Sequence, residues 1–295
     1  MTAARREGPP VPGAGVTGAG VTGVSVTGVS VTGRDAASPA SIGIGRPAGR
    51  LRHAEHVMGT VFSFDIPAAA APVLPEIVSW LHWVDATFST YRAGSDVSRF
   101  GRGDVTLAQC APELAEVIRE CAVIGDLSDG YFTDWPAGRF DPSGFVKGWA
   151  IERSASMLNA AGFTGHSVNG AGDLQCTGQP EPGRPWRVGI AHPLCPGTLA
   201  AVVAGRDIAV ATSGTAERGA HVINPRTGRP ATELASVTVV GPWITMADAY
   251  ATAAFAMGPA AREWVEQLDG YEALGIAPDG TGWQTSGFSA YTPLD

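Results

Sequence analysis

Asp248 and Thr252 lie four residues apart in the run Met246 to Met257, so in a helix they share one face. A carboxylate beside a hydroxyl is a hard-oxygen pair suited to magnesium, which also accepts backbone carbonyls and phosphate oxygens. An acid favoured by a helix dipole, with a threonine at the edge of the core, reads the same way. A second group lies in Phe140-Asp141-Pro142-Ser143-Gly144-Phe145-Val146-Lys147-Gly148-Trp149-Ala150, a turn opening into a helix. Its head is acidic, and just inside stands Lys147, the single lysine of the chain. Amides at such a start attract phosphate or other anions; a capped helix with one solvated lysine is the alternative. A third stretch, Ala211-Thr212-Ser213-Gly214, leads through Arg218 to His221-Val222-Ile223-Asn224-Pro225-Arg226-Thr227-Gly228 and ends in turn residues. The imidazole of His221 suits a general base, although a lone histidine is more often structural.

Several elements must position these groups. Glu55 to Ile66 mixes β-branched and aromatic residues as a strand does. Pro72 to Tyr91 carries Ile77, Leu81, Val84 and Phe88 at helical spacing, and Pro112 to Leu127 carries Leu114, Val117, Cys121 and Ile124. A third helix is expected from Lys147 to Ala161, closed by Gly162. Strands follow near 166–169, 186–191, 199–203, 208–212 and 236–240, then helices over 246–257 and 259–268 and strands over 271–288. Strands and helices do not alternate regularly, so the fold class expected is α+β. Residues 1–50 are rich in glycine, with VTG recurring at Val16, Val21, Val26 and Val31, and are expected to form a disordered tail ahead of one domain over 51–295. The tail contains GxGxxG spacings at Gly13 and Gly18, but no strand precedes them and no periodic helix follows, so a dinucleotide fold is not implied.

Composition removes other function classes. With 28 acidic against 20 basic residues, a net charge of −8 and no basic cluster, the chain lacks the positive surface of a nucleic-acid binder. No stretch approaches the roughly 18–20 apolar residues of a membrane span. The first ten residues lack the apolar segment of a secretory signal and no lipobox cysteine is seen, so a cytoplasmic protein is expected. The four cysteines, Cys110, Cys121, Cys176 and Cys195, show no CxxC spacing and are expected to be buried free thiols.

The order and wording of these stretches resemble the ApbE-like FAD:protein FMN transferase family. Met58-Gly59-Thr60 is similar to its MGT; Phe88-Ser89-Thr90-Tyr91 with Ser95-Asp96-Val97-Ser98-Arg99-Phe100 to STY…DSELSRFN; and Asp129-Gly130-Tyr131-Phe132 to its G-A/Y-F-D stretch. Asp141 to Gly148 resembles D-x-G-G-x-x-K-G, and Val168-Asn169-Gly170-Ala171-Gly172-Asp173 resembles VNxGGD. Thr212-Ser213-Gly214 and His221 to Gly228 resemble TSG…HIIDPxTG, and Ala247-Asp248-Ala249 with Ala251-Thr252 resembles ADAxAT. Departures are Thr133 in place of an Asp, Asn224 in place of Asp, and Ala171 where a second glycine is common.

The resemblance implies mixed sheets with packed helices, an FAD site in a cleft between lobes, and magnesium-dependent transfer of the FMN half of FAD to a threonine or serine hydroxyl of an acceptor flavoprotein, releasing AMP. It implies magnesium on the Asp248 and Thr252 side chains with the carbonyls of Gly144 and Ala251, and FAD contacts at Met58, Tyr91, Tyr131, Phe132, Thr133, Asp141, Lys147 and Ile223. His221 would take the acceptor's hydroxyl proton, and Lys147 would add fixed positive charge. A magnesium-dependent FAD pyrophosphatase and a non-catalytic FAD-binding protein are the alternatives that the same residues leave open.

Overall fold

The computed structural model describes residues 24–27, 49–215 and 222–293. Its strands are β1 (Val24–Thr27), β2 (Arg50–Val57), β3 (Thr60–Pro67), β4 (His166–Gly170), β5 (Asp173–Thr177), β6 (Trp186–Ala191), β7 (Leu199–Gly205), β8 (Ile208–Gly214), β9 (Ile223–Asn224), β10 (Arg229–Pro230), β11 (Ser236–Gly241), β12 (Glu272–Ile276) and β13 (Gly282–Gln284). The helices are α1 (Leu74–Phe88), α2 (Asp96–Gly101), α3 (Pro112–Leu127), α4 (Ser143–Ala160), α5 (Ile244–Met257) and α6 (Ala261–Val265). Of the expected tail, β1 and residues 49 and 50 are described; the rest, with its glycine spacings, lies outside the described residues.

One antiparallel sheet runs in the order β13-β12-β11-β8-β5-β4-β3-β2. Its inner strands are buried on both faces, and the period-two alternation of a strand assigns successive residues to different cores. Ala209 and Ala211 of β8 join the core under α4 and α5, whereas Ile208 and Val210 join a second cluster with Trp186, Val188, Ile190 and Val203 of β6 and β7. Those strands belong to a smaller mixed sheet, β1-β6-β7, in which β1 runs parallel to β6 and β7 antiparallel to it. Helices segregated to one face of an antiparallel sheet make the fold α+β.

The segment Glu55 to Ile66, which its composition presents as one strand, is a hairpin. Val57 pairs with Thr60 across Met58 and Gly59, whose φ of 56° and 70° belong to the primed turn that matches strand twist. Helix α4 starts at Ser143, ahead of the expected Lys147, because the Asp141 carboxylate accepts from the Ser143 amide and turns the chain there. The stretch Pro259 to Leu268 contains only the short α6 after a 3-10 turn. Ala171 and Gly172 turn the β4–β5 hairpin at φ of 53° and 93°, which explains why glycine is favoured at both positions.

Candidate active site

Helices α4 and α5 approach most closely at Gly148. A Cβ there would stand 2.7 Å from the Ile244 carbonyl oxygen and 2.9 Å from Asp248 Cβ, so only glycine admits this packing. The same approach lets the Gly148 amide donate to Asp248 Oδ2 at 2.9 Å. On the other carboxylate oxygen, Oδ1, sits Lys147 Nζ at 3.0 Å.

Lys147 also pairs directly with Oδ2 of Asp173, the first residue of β5. Asp173 and Asp248 are 2% and 3% exposed, and the Lys147 ammonium offsets charge on both buried carboxylates. Asp173 Oδ1 accepts from the Thr212 amide at 2.9 Å, and Thr212 Oγ1 lies 2.8 Å from Thr238 Oγ1. The stretches around Lys147, Asp173, Thr212 and Asp248, scattered over a hundred residues, thus converge on one point. Asp173 is the residue that sequence reasoning leaves without a role; its signal is the acid that closes the Val168 to Asp173 motif.

Helix α5 has no side-chain cap from its own N-cap residue, Trp243. Two remote side chains satisfy its first amides instead: Gln175 Oε1 of β5 accepts from Ile244 at 2.9 Å and Glu152 Oε2 of α4 from Thr245 at 3.0 Å. These bonds fix the helix that carries Asp248 and Thr252 against the elements that carry Asp173 and Lys147.

One turn along α5, Thr252 faces the start of α4. A Cβ on Gly144 would lie 3.6 Å from Thr252 Oγ1 and 3.3 Å from the Phe132 ring. The Asp248 carboxylate, the Thr252 hydroxyl and the Gly144 carbonyl are hard-oxygen donors of the kind magnesium accepts, carried by two helices that pack together here. Ala251 is buried within α5, and nothing around it singles out its carbonyl.

Behind Phe132 opens a pocket of about 640 Å³, lined by α3 at Cys121 and Gly125, by Phe132, Thr133 and Trp135, and by Pro225 and Gly228 across from them. Asp134 also lines it, its carboxyl pushed above the usual range by burial. Arg226 ties the two walls together: its guanidinium donates to the Asp129 carbonyl at 2.7 Å, pairs with the Asp129 carboxylate, and lies 4.4 Å above the Tyr131 ring. Thr133 Oγ1 accepts from the Trp135 amide. Ile223 pairs with Pro230 in the β9–β10 hairpin, and Asn224 donates to the Ala256 carbonyl at the end of α5, a bond an aspartate could not make.

The remaining expected residues are placed less closely. Tyr91 is 96% exposed on the loop after α1; Arg139 donates to the adjacent Thr90 carbonyl and so joins that loop to the pocket rim at Gly138. Met58 packs at the edge of the main core, and Asp141 bonds locally to Ser143. His221 lies outside the described residues.

The profile of the ApbE family matches residues 58–137 and 133–275, which include every element of this constellation. The chain belongs to the ApbE family. A FAD:protein FMN transferase of Klebsiella pneumoniae is 31% identical over 155 residues, covering 49% of this chain and 44% of that protein. One of Escherichia coli K12 is 32% identical over 162 residues, covering 52% and 46%. The chain thus aligns with less than half the length of these relatives. Among solved structures, the flavin transferase ApbE of Vibrio cholerae superposes with a TM-score of 0.73 at 23% identity, covering 83% of this chain and 100% of that one. The ApbE protein of Thermotoga maritima gives the same TM-score at 19% identity. The ApbE fold and family are therefore established for this chain, and among its described residues no helix is long and apolar enough to cross a membrane.

Proposed function

We propose that this protein transfers the FMN half of FAD to a threonine or serine hydroxyl of an acceptor flavoprotein, with magnesium, and releases AMP. The observation that carries this reading is the convergence of Lys147, Asp173, Asp248, Thr252 and Gly144 at the α4–α5 crossing, in a chain whose relatives are named FAD:protein FMN transferases.

In this reading the acceptor oxygen bonds to the FMN phosphorus while the bond from that phosphorus to the bridging oxygen breaks, and the bridging oxygen leaves with AMP. Such a displacement asks for positioning, charge neutralisation and a proton acceptor rather than covalent catalysis. Asp248, Thr252 and the Gly144 carbonyl hold magnesium, which when bound supplies charge for the pyrophosphate oxygens. Lys147 adds a fixed positive charge beside them, and His221 takes the hydroxyl proton. The pocket bounded by Phe132, Thr133 and Trp135 offers aromatic and apolar surface to FAD, and Tyr91 stands on the loop that Arg139 ties to the segment beside it.

The test is incubation with FAD, magnesium and an FMN-binding acceptor domain, read as intact acceptor mass and AMP. A gain of one FMN residue that EDTA abolishes supports the transferase. AMP and free FMN with no gain on any acceptor contradict it in favour of hydrolysis.

A further inference from the structure

We infer that Lys147 is a resident cation which a divalent ion must displace from Asp248, and that Asp173 is the positioning residue that receives it. The inference rests on the magnesium reading above and adds to it a competition between the protein's own ammonium and the metal.

The geometry is nearly symmetric. Each buried carboxylate has one oxygen tied to a backbone amide, Asp173 Oδ1 to Thr212 and Asp248 Oδ2 to Gly148. The remaining oxygen of each, Asp173 Oδ2 and Asp248 Oδ1, faces the same Nζ. A divalent ion binding through Asp248 Oδ1 therefore meets an oxygen the ammonium already holds. A divalent ion and an ammonium cannot share it without strong like-charge repulsion. Lysine can yield, because its charge sits on a flexible four-carbon stem and 23% of the side chain is exposed. The ammonium retreats without losing a partner only if Asp173 keeps its charge. Asp173 thereby sets how readily Asp248 becomes available, and it leaves the ammonium poised beside the metal site.

This arrangement predicts opposite effects for the two partners. Manganese(II) binding to the full chain, measured without FAD by electron paramagnetic resonance, should weaken about tenfold in Asp173→Asn and tighten about tenfold in Lys147→Met. Asn retains an oxygen for the Thr212 amide, and circular dichroism checks that both variants fold. In the Lys147→Met background, Asp173→Asn should lose most of its effect, the non-additivity expected of one shared competitor. A lysine that only contacts phosphate would leave ion binding unmoved without FAD, so unchanged or weakened binding in Lys147→Met overturns the inference. If the unaltered chain binds no manganese, the magnesium reading falls and takes this inference with it; if it binds and both variants match it, only the inference falls.

Discussion

Lys147 of α4 and Asp248 of α5 meet at 3.0 Å across a helix crossing that only Gly148 makes possible. The pair ties the one lysine of the chain to the carboxylate proposed as a metal ligand. Replacing Asp248 with Ala leaves Lys147 paired with Asp173 but removes the proposed ligand. Magnesium-dependent FMN transfer should fall by about 100-fold or more, measured as AMP release at saturating FAD.

Gly148→Ala tests the crossing itself. The added methyl would meet the Ile244 carbonyl and Asp248 Cβ, both on a helix held by bonds from Gln175 and Glu152. The expected cost is about 1–3 kcal/mol in urea unfolding, with a loss of activity that added magnesium does not restore.

Arg226→Ala addresses the pocket. Its contacts with Asp129 and Tyr131 are at the surface, so thermal stability should change little. The two walls it joins both line the pocket, so KM for FAD should rise several-fold with a smaller change in kcat. Arg226→Lys keeps the charge but not the forked geometry and should recover only part of the loss.

Ala171 occupies a left-handed conformation in the hairpin that delivers Asp173. Ala171→Gly should raise stability by about 1 kcal/mol, read from urea midpoints, because glycine pays no Cβ penalty there.

His166 is fully buried, with Nε2 3.0 Å from Asn159 Oδ1, and burial, helped by the nearby Arg50, holds its pKa down to about 4. The unfolded chain binds that proton near pH 6.5, so between these values the unfolded state carries more protons. The histidine's contribution to stability is therefore complete above about pH 6.5 and is lost as pH falls toward 4. Urea midpoints should fall over that range, and His166→Gln should flatten the slope.

Much of this architecture is legible in the sequence because its signals are local. The helical spacing of Leu114, Val117, Cys121 and Ile124 places α3, and the short strand-like runs 208–212 and 236–240 place β8 and β11. Strand β5 escapes that reading. Asp173 and Gln175 are polar yet buried, so its pattern is not that of a strand with one wet face, and its role depends on partners as distant as Thr212 and Ile244. The six-residue α2 is too short for periodicity to show; its signal is Ser95, whose hydroxyl accepts from the Ser98 amide. At the site, helical spacing puts Asp248 and Thr252 on one face. No spacing reveals that Lys147 lies between two acids, since that follows from a helix crossing and a hairpin register.

Flavin transfer is read from the mass of the acceptor. The purified chain, FAD, magnesium and a flavin-acceptor domain should yield acceptor heavier by one FMN residue and an equal amount of AMP, with both lost on adding EDTA or in Asp248→Ala. An acceptor of unchanged mass with FAD intact, or a gain that persists in Asp248→Ala, would contradict the account.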